Sequence, residues 1–154
     1  MTLSLTILFA TATGNALVLA EFAEAAARKS GIAARLADAA TYDFRELSGE
    51  KTMLVITSTH EGEPPYDATD FFDFLDEGTT RLPGLRYAVL ALGDTGYDAF
   101  CAAGRRVDER LEGLGATRLR ARQDVDAHEQ KLGRAWIVDF IASLEAVAGR
   151  SSAA

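Results

Sequence analysis

The sequence predicts an α/β domain in which helices cover both faces of a doubly wound, five-stranded parallel sheet. Five short apolar segments alternate along the 154-residue chain with amphipathic segments, a pattern typical of parallel strands buried on both faces. All three prolines (Pro64, Pro65 and Pro83) lie outside the proposed strands and helices. This is expected, because a proline inside such an element would break its hydrogen bonding. The length fits one domain, which we expect to span residues 1–149, followed by a disordered tail at 150–154.

Each strand is assigned from an apolar run that ends at small or polar residues. The first run is rich in Leu and Ile, and the second is short and weakly marked. The third and fourth are apolar, β-branched runs that stop at turn residues, and the fifth is a short strand before the last helix. The expected strands are Leu3–Ala10, Ala34–Ala37, Leu54–Thr57, Tyr87–Leu92 and Thr117–Arg122.

Each helix is assigned from apolar residues that recur with helical spacing. The first helix is rich in alanine, and the second is expected to turn Phe71, Phe74 and Leu75 inward. The segment Thr41–Glu50 has the weakest helical pattern. The expected helices are Ala16–Lys29, Asp67–Asp76, Ala99–Leu114 and Glu129–Val147. Because ligands of parallel α/β sheets bind at the carboxyl ends of the strands, we expect function in the loops that follow the first, third and fourth strands.

The net charge of −7 argues against a nucleic-acid surface, because phosphate binding needs clustered Lys and Arg. Between Thr52 and Thr80 the chain has no Lys or Arg but seven acids. This acidic stretch is either the solvated face of a helix or a docking patch for a basic partner. The seven acids are Glu61, Glu63, Asp67, Asp70, Asp73, Asp76 and Glu77.

Composition and segment lengths predict a cytoplasmic monomer that contacts no membrane. Hydrophobic residues make up 48% and charged residues 25% of the chain, the ordinary balance of a globular protein. No apolar run is long enough to cross a bilayer, and no basic residue precedes the apolar stretch at the N-terminus, as a secretory signal would require. The single Cys101 excludes an internal disulfide and suits a reducing compartment.

The loop Thr11–Ala16 contains the parts of a phosphate site. It offers two hydroxyls, one amide, one glycine and the N–H groups of a helix start, which together bind anions. A P-loop would need a lysine after its glycine, and a dinucleotide fingerprint would need three glycines. A terminal monophosphate held by neutral donors therefore fits better than a nucleoside triphosphate, although an ordinary helix cap would have the same composition.

The loops after the third and fourth strands have the composition of a site for a flat aromatic ligand. In the loop at 58–67, two prolines and a glycine impose an irregular backbone, and His60 and Tyr66 could lie flat against a ring. In the loop at 92–101, glycines permit close backbone approach, and Tyr97 is an aromatic residue in polar surroundings. Each aromatic side chain alone could be structural, so the interpretation depends on the three loops together.

Together the three loops resemble the flavodoxin-type FMN-binding domain, in the branch found in sulfite reductase flavoproteins, cytochrome P450 reductase and free-standing MioC-type carriers. The resemblance extends from Thr6 to about Leu144 and implies a flavodoxin-like strand order, 2-1-3-4-5, with one non-covalently bound FMN. Around the FMN phosphate it places Thr11, Ala12, Thr13, Gly14, Asn15 and Ala16. Beside the flavin ring it places Thr59, His60, Glu61 and Gly62 on one side, and Leu92, Gly93, Asp94, Tyr97, Phe100 and Cys101 on the other.

The resemblance also implies roles for single residues. Tyr97 is expected to stack on the ring, and Asp124 lies where the family often has an acid near the cofactor. His60 is followed directly by Glu61, so one glycine of the family pattern is missing. In the family a backbone carbonyl of this loop turns toward the reduced ring, and Gly62 is the candidate for that role here. We interpret Cys101 as a small packing residue.

The implied function is an FMN-containing electron-transfer protein that passes single, low-potential electrons from a reductase to an acceptor enzyme. The implied donor is an NADPH-dependent flavodoxin reductase. Basic partners would dock on Glu61, Glu63, Asp67, Asp70 and Asp73. The main alternative is an NAD(P)H-dependent quinone or flavin reductase on the same fold.

Two further alternatives lack an FMN. A signalling receiver with this strand order would need paired acids after the first strand and a lysine after the fifth. The chain has Thr11-Ala12 and Gln123-Asp124 at those positions, which argues against a receiver. The second is an interaction domain that has lost its flavin, and the sequence does not exclude it.

Overall fold

The apolar runs form strands and the amphipathic segments form helices, in the alternating order that the sequence predicts. The computed structural model describes residues 3–96 and 100–153, with side chains as far as residue 146. The strands are β1 (Ser4–Ala10), β2 (Ala33–Asp38), β3 (Thr52–Thr57), β4 (Arg86–Gly93), β5 (Thr117–Arg118) and β6 (Gln123–Asp126). The α-helices are α1 (Asn15–Lys29), α2 (Thr69–Glu77), α3 (Ala102–Gly113) and α4 (Gln130–Ala153). The predicted domain limits, 1–149 and a tail at 150–154, stay predictions.

The sheet is parallel, and its order β2-β1-β3-β4-β5 confirms the predicted order. β3 lies at its centre, and all six of its residues are buried. Apolar side chains of α1 and α4 pack on one face of the sheet, and those of α2 and α3 pack on the other. The domain therefore has two hydrophobic layers, one on each side of a buried sheet.

The fifth position of the sheet differs from the prediction, because β5 and β6 occupy it in turn. The expected continuous strand Thr117–Arg122 is wrong: both short strands pair with β4, and the pairing is interrupted after Leu119, whose N–H still donates to the Tyr87 carbonyl. Arg118 Nε and Arg122 Nη1 both donate to the buried carboxylate of Asp108, at 2.7 and 3.0 Å. A continuous extended strand would carry these two side chains about 13 Å apart, so the bend lets both reach one acid.

The second helix is also shifted from its prediction. A 3₁₀ turn at Tyr66–Ala68 precedes α2, which begins at Thr69. Phe71, Phe72 and Leu75 are buried on its inner face, whereas Phe74 is half-buried. Phe74 instead stacks on Phe44, with ring centroids 5.0 Å apart.

Two other predicted segments need smaller corrections. The weak pattern over Thr41–Glu50 corresponds to a 3₁₀ helix at Phe44–Gly49, which Asp43 caps by accepting from the Arg45 N–H. α3 begins at Ala102, and the predicted start at Ala99 lies outside the described residues. Within 3–96 and 100–153, no helix combines the length and the apolar character needed to cross a membrane.

Candidate functional site

The three loops singled out in the sequence open side by side at the carboxyl edge of the sheet. β1, β3 and β4 are neighbours, and their register pairs Ala10 with Thr57 and Thr57 with Ala91. β1 and β3 therefore end at the same level, and β4 extends two residues further. The structure thus brings together residues that lie up to 90 positions apart in the chain, as the parallel fold predicts.

The loop after β1 ends in an uncapped helix start. Gly14 is the residue before α1 and has φ 94°, a left-handed conformation that favours glycine. Its N–H donates to Thr11 Oγ1 at 2.8 Å, which closes the loop. Among the described residues, no group accepts a hydrogen bond from the N–H groups of Asn15, Ala16 or Leu17. These donors, at the positive end of the helix dipole, are available to an anion.

Ser58 adds a second, independent indication of a ligand at this helix start. Ser58 is only 8% exposed, yet its hydroxyl has no hydrogen-bond partner among the described residues. Strand alternation places Ser58 on the same face as Ile56, which packs in the layer formed with α1. A buried, unpartnered hydroxyl is costly unless something binds it. Sequence reasoning gave Ser58 no role, since only burial reveals that its hydroxyl is unpaired.

The loop after β3 forms a tight turn with an unusual backbone. His60 and Glu63 exchange backbone hydrogen bonds of 2.8 and 2.9 Å. Between them, Glu61 has φ 50° and Gly62 has φ 84°, the pattern of a type I′ turn. Glu61 therefore holds the left-handed conformation that a glycine would adopt more easily, directly after His60, where this chain lacks one glycine of the family pattern.

Thr59 connects this loop to the loop after β4. Its hydroxyl accepts from the Ala103 N–H at 3.0 Å, in the first turn of α3. Thr59 thus caps a helix that belongs to a different part of the chain. His60, by contrast, is exposed at the edge of the sheet.

The loop after β4 returns closely over the end of its strand. A Cβ at Gly93 would lie 2.6 Å from the Cys101 nitrogen and 3.0 Å from Phe100 Cδ2, so only glycine permits this approach. Burial raises the pKa of the Cys101 thiol to about 12, which agrees with a packing residue rather than a thiolate. Leu92 is buried, Asp94 is exposed and Phe100 is half-buried. Tyr97, the predicted stacking residue, lies outside the described residues.

Two acids on β6 have different surroundings. Asp124 pairs with Ala91 of β4, below the carboxyl edge, and its carboxylate accepts from Arg122 Nε at 2.7 Å. Asp126 pairs with Gly93 at the edge itself. Hydrogen bonds from the backbone N–H groups of His128 and Thr95 lower the pKa of Asp126. The sequence singled out Asp124 and gave Asp126 no role, because the register of β6 depends on where the fifth strand is interrupted.

A cleft of about 580 Å³ opens beside the site, between the loops after β1 and β3 and the start of α2. Ala12, His60 and Glu63 line it, together with Tyr66, whose exposure is 90%. A cleft of about 640 Å³ at the opposite edge of the sheet contains no predicted site residue.

The predicted acidic surface is partly neutralised. Asp76 forms ion pairs with Arg106 and Arg110 of α3, and Asp73 lies 3.9 Å from Arg106. The remaining acids make no ion pair with any described residue and are exposed. They are Glu61, Glu63, Asp67, Asp70 and Glu77.

Comparison with known proteins agrees with this fold. The family model described as flavodoxin matches residues 7–136. Over 150 residues the chain is 36% identical to the sulfite reductase [NADPH] flavoprotein alpha-component of Bacillus subtilis, covering 96% of this chain and 25% of that protein. Over 134 residues it is 41% identical to the same component of Vibrio cholerae, covering 86% of this chain and 22% of the relative. The chain thus spans about a quarter of the length of these curated relatives.

Solved flavodoxin structures have the same fold. A Streptococcus pneumoniae flavodoxin superimposes with a TM-score of 0.83 at 28% identity, covering 93% of this chain and 98% of that one. A short-chain flavodoxin associated with a bacterial microcompartment gives a TM-score of 0.84 at 23% identity, covering 96% and 99% of the two chains. These matches favour an electron-transfer domain over the quinone or flavin reductase considered from the sequence. The chain therefore belongs to the flavodoxin family of FMN-binding electron-transfer proteins.

Proposed function

We propose that this chain holds one FMN at the carboxyl edge of its sheet and passes single electrons from a reductase to an acceptor enzyme. The main supporting observation is that two unsatisfied features occur together at this edge: the buried, unpartnered hydroxyl of Ser58 and the uncapped start of α1. Both features are explained by a bound phosphate. A terminal monophosphate suits them because the 11–16 loop contains no Lys or Arg.

The proposed phosphate site uses neutral donors only. The N–H groups of Asn15 and Ala16 and the hydroxyls of Thr13 and Ser58 would surround the phosphate oxygens. The Thr11 hydroxyl accepts from the Gly14 N–H, and its own O–H can still donate to the phosphate. Hydrogen bonds to a charged group are each worth about 1.5–3 kcal/mol, so a few such donors suffice for tight binding.

The proposed ring site lies between the loops after β3 and β4. Thr59, His60, Glu61 and Gly62 would border one side of the ring. Leu92, Gly93, Asp94, Phe100 and Cys101 would border the other, with Tyr97 as the stacking residue. Asp124 remains a predicted neighbour of the cofactor, although its carboxylate is held by Arg122. The bound FMN would supply the one-electron chemistry, while the protein orients it and sets its electrostatic surroundings.

Exposed acids around the ring site would lower the reduction potential. Glu61, Glu63, Asp67 and Asp94 are all exposed in the ring-side loops. A carboxylate about 10 Å from the negative charge of a reduced flavin ring, at an effective dielectric near 20, raises the energy of that reduced state by about 1.7 kcal/mol before screening. For a one-electron couple this corresponds to about 70 mV. Because salt screens exposed charges, we expect the combined shift from the four carboxylates to be smaller than the sum of these values. It should still lower the reduction potential of the flavin.

The acids also supply a surface for a basic redox partner. The proposed surface comprises Glu61, Glu63, Asp67, Asp70 and Asp73, with an NADPH-dependent flavodoxin reductase as donor. Four of these acids have no ion pair among the described residues, whereas Asp73 is near Arg106. Charge complementarity of this kind speeds encounter more than it strengthens binding. A cytoplasmic location fits such a carrier and stays a prediction.

The spectrum of the purified protein tests the proposed function directly. We expect a yellow protein with flavin absorption bands and about one FMN per chain, identified by chromatography after heat release. Detection of FAD in place of FMN would contradict the single-phosphate site. Absence of any flavin after reconstitution of the unfolded and refolded chain with FMN would show that the site does not function.

A further inference from the structure

We propose that Asp126 is a positioning residue for the flavin ring. Its carboxylate holds residues 94–96 of the ring-side loop through Thr95, and so sets the affinity for the ring without acting on the phosphate end. This inference rests on the proposed FMN binding. It concerns a residue that the sequence did not single out.

The geometry gives Asp126 two partners on two segments. Its Oδ2 accepts from the Thr95 N–H at 3.2 Å and from Thr95 Oγ1 at 2.9 Å. Its Oδ1 accepts from the His128 N–H at 2.8 Å. The next residue, Ala127, donates its N–H to the Gly93 carbonyl at 2.8 Å. The end of β6 therefore acts as a rigid support, from which one carboxylate reaches across to the loop.

The loop has little other support among the described residues. Asp94, Thr95 and Gly96 are all exposed. Apart from the Thr95–Asp126 contacts, the hydrogen bond that involves their polar groups is local, from the Gly96 N–H to Asp94 Oδ1 at 2.8 Å. Without the Asp126 carboxylate, the loop would populate more conformations, and ring binding would have to reorder it.

The phosphate end would not share this dependence. The start of α1 and Ser58 are held by β1 and β3: Gly14 bonds to Thr11, and the Ser58 N–H donates to the Ala10 carbonyl. Neither group contacts Asp126 or Thr95 through a hydrogen bond. Removal of the Asp126 carboxylate should therefore weaken binding of the ring and leave binding of the phosphate unchanged.

The test compares three ligands on the apoprotein of the full chain: FMN, riboflavin, which lacks the phosphate, and inorganic phosphate in competition with FMN. We expect Asp126→Ala to weaken FMN and riboflavin by the same factor, about tenfold or more, and to leave the phosphate competition constant unchanged. Thr95→Val, which removes one of the two donors, should cause a smaller loss of the same kind. The double variant should be no weaker than Asp126→Ala, because both changes remove one interaction.

Two further variants serve as controls. Asp126→Asn keeps the side-chain volume and one acceptor oxygen, so we expect an intermediate loss, and it replaces Asp126→Ala if that variant does not fold. Asp43→Ala removes an exposed carboxylate that, like that of Asp126, accepts a backbone N–H two residues further on, but lies outside the three loops. Its ligand affinities should equal those of the wild type.

The outcomes distinguish the inference from the proposed function. If the wild type binds FMN and the Asp126 variants bind riboflavin normally, the positioning role is wrong. Equal losses of phosphate and riboflavin affinity would also overturn it, since they indicate general destabilisation. A wild type that binds no FMN would overturn the proposed function, and the inference with it.

Discussion

At the residue scale, the backbone is least ordinary in the loops of the proposed site. Among the described residues, the non-glycine residues with positive φ are Glu61 and Cys101. A left-handed conformation costs a non-glycine residue about 1–2 kcal/mol, and such conformations occur often at functional sites. Both residues flank the proposed ring site, one in each loop. The two strained residues thus lie in the loops that would contact the flavin ring.

Replacement of Ser58 by Ala tests the phosphate end. We expect FMN affinity to fall by about 1.5–3 kcal/mol, the value of a hydrogen bond to a charged group, and riboflavin affinity to stay the same. The stability of the apoprotein should not fall, because the hydroxyl has no partner within the described part of the chain. Fluorescence titration of the two flavins measures the difference, with Ser48→Ala as the control. Equal losses for FMN and riboflavin would contradict a phosphate contact.

Replacement of Tyr97 by Ala tests the ring end. We expect FMN binding to weaken by about 1–3 kcal/mol through lost stacking and burial. His60→Ala provides the comparison, because His60 is exposed on the opposite loop. If FMN titration shows Tyr97→Ala unchanged and His60→Ala severely weakened, the principal stacking residue is His60.

At the element scale, the position of α3 depends on its close packing against β4. A Cβ at Gly104 would overlap the Cβ of Ala91 and lie 3.0 Å from its Cα. Glycine at this position therefore lets the helix approach the strand. The first turn of the same helix is capped by Thr59 and preceded by Cys101. The packing of one helix thus helps to place two of the site loops.

Gly104→Ala should destabilise the protein although alanine favours helices. The extra methyl group would force α3 away from β4, at a typical cost of about 1–3 kcal/mol, which exceeds the gain in helix propensity of about 1 kcal/mol. Gly113→Ala, at the other end of α3 in open space, is the matched control and should be neutral or stabilising. Urea unfolding of the apoprotein compares the two. Equal unfolding midpoints would contradict this prediction, because they would show that α3 accommodates the methyl group without loss of stability.

At the scale of the whole molecule, the two edges of the sheet differ in charge. Within the acidic stretch, Glu61, Glu63, Asp67 and Asp70 are exposed in the loop after β3 and at the start of α2. Lys51 and Arg86, in contrast, stand at the starts of β3 and β4 and line a cleft at the amino edge. The proposed FMN edge therefore presents four acids that make no ion pair within the described part of the chain. A basic partner would be steered toward that edge over distances comparable with the screening length.

Charge reversal tests this steering. Asp67→Lys/Asp70→Lys should slow reduction by a flavodoxin reductase, mainly through the association rate, and should flatten the fall of that rate with salt. Asp139→Lys/Glu145→Lys changes the net charge equally on α4, where both acids are exposed, and should behave like the wild type. Surface changes of this kind usually cost less than about 0.5 kcal/mol, so folding should be retained. Stopped-flow reduction over a salt series, at matched FMN content, is the measurement. Equal rates and salt slopes for all three proteins would mean that the acids are only a solvated helix face.

The sequence by itself determined the fold class and the three loops that follow the first, third and fourth strands, because apolar periodicity and turn residues are local properties. The strand order was implied by the resemblance of those loops to the flavodoxin-type domain. Only the tertiary structure decided which side chains lack or gain partners. Ser58 is unpaired because of where β3 ends beside α1. Asp126, rather than Asp124, lies at the edge because Asp108 on α3 gathers Arg118 and Arg122 and interrupts the fifth strand. Phe72 replaces Phe74 in the core because the orientation of α2 depends on its packing against the sheet. Such contacts join residues far apart in the chain, so no local pattern of the sequence contains them.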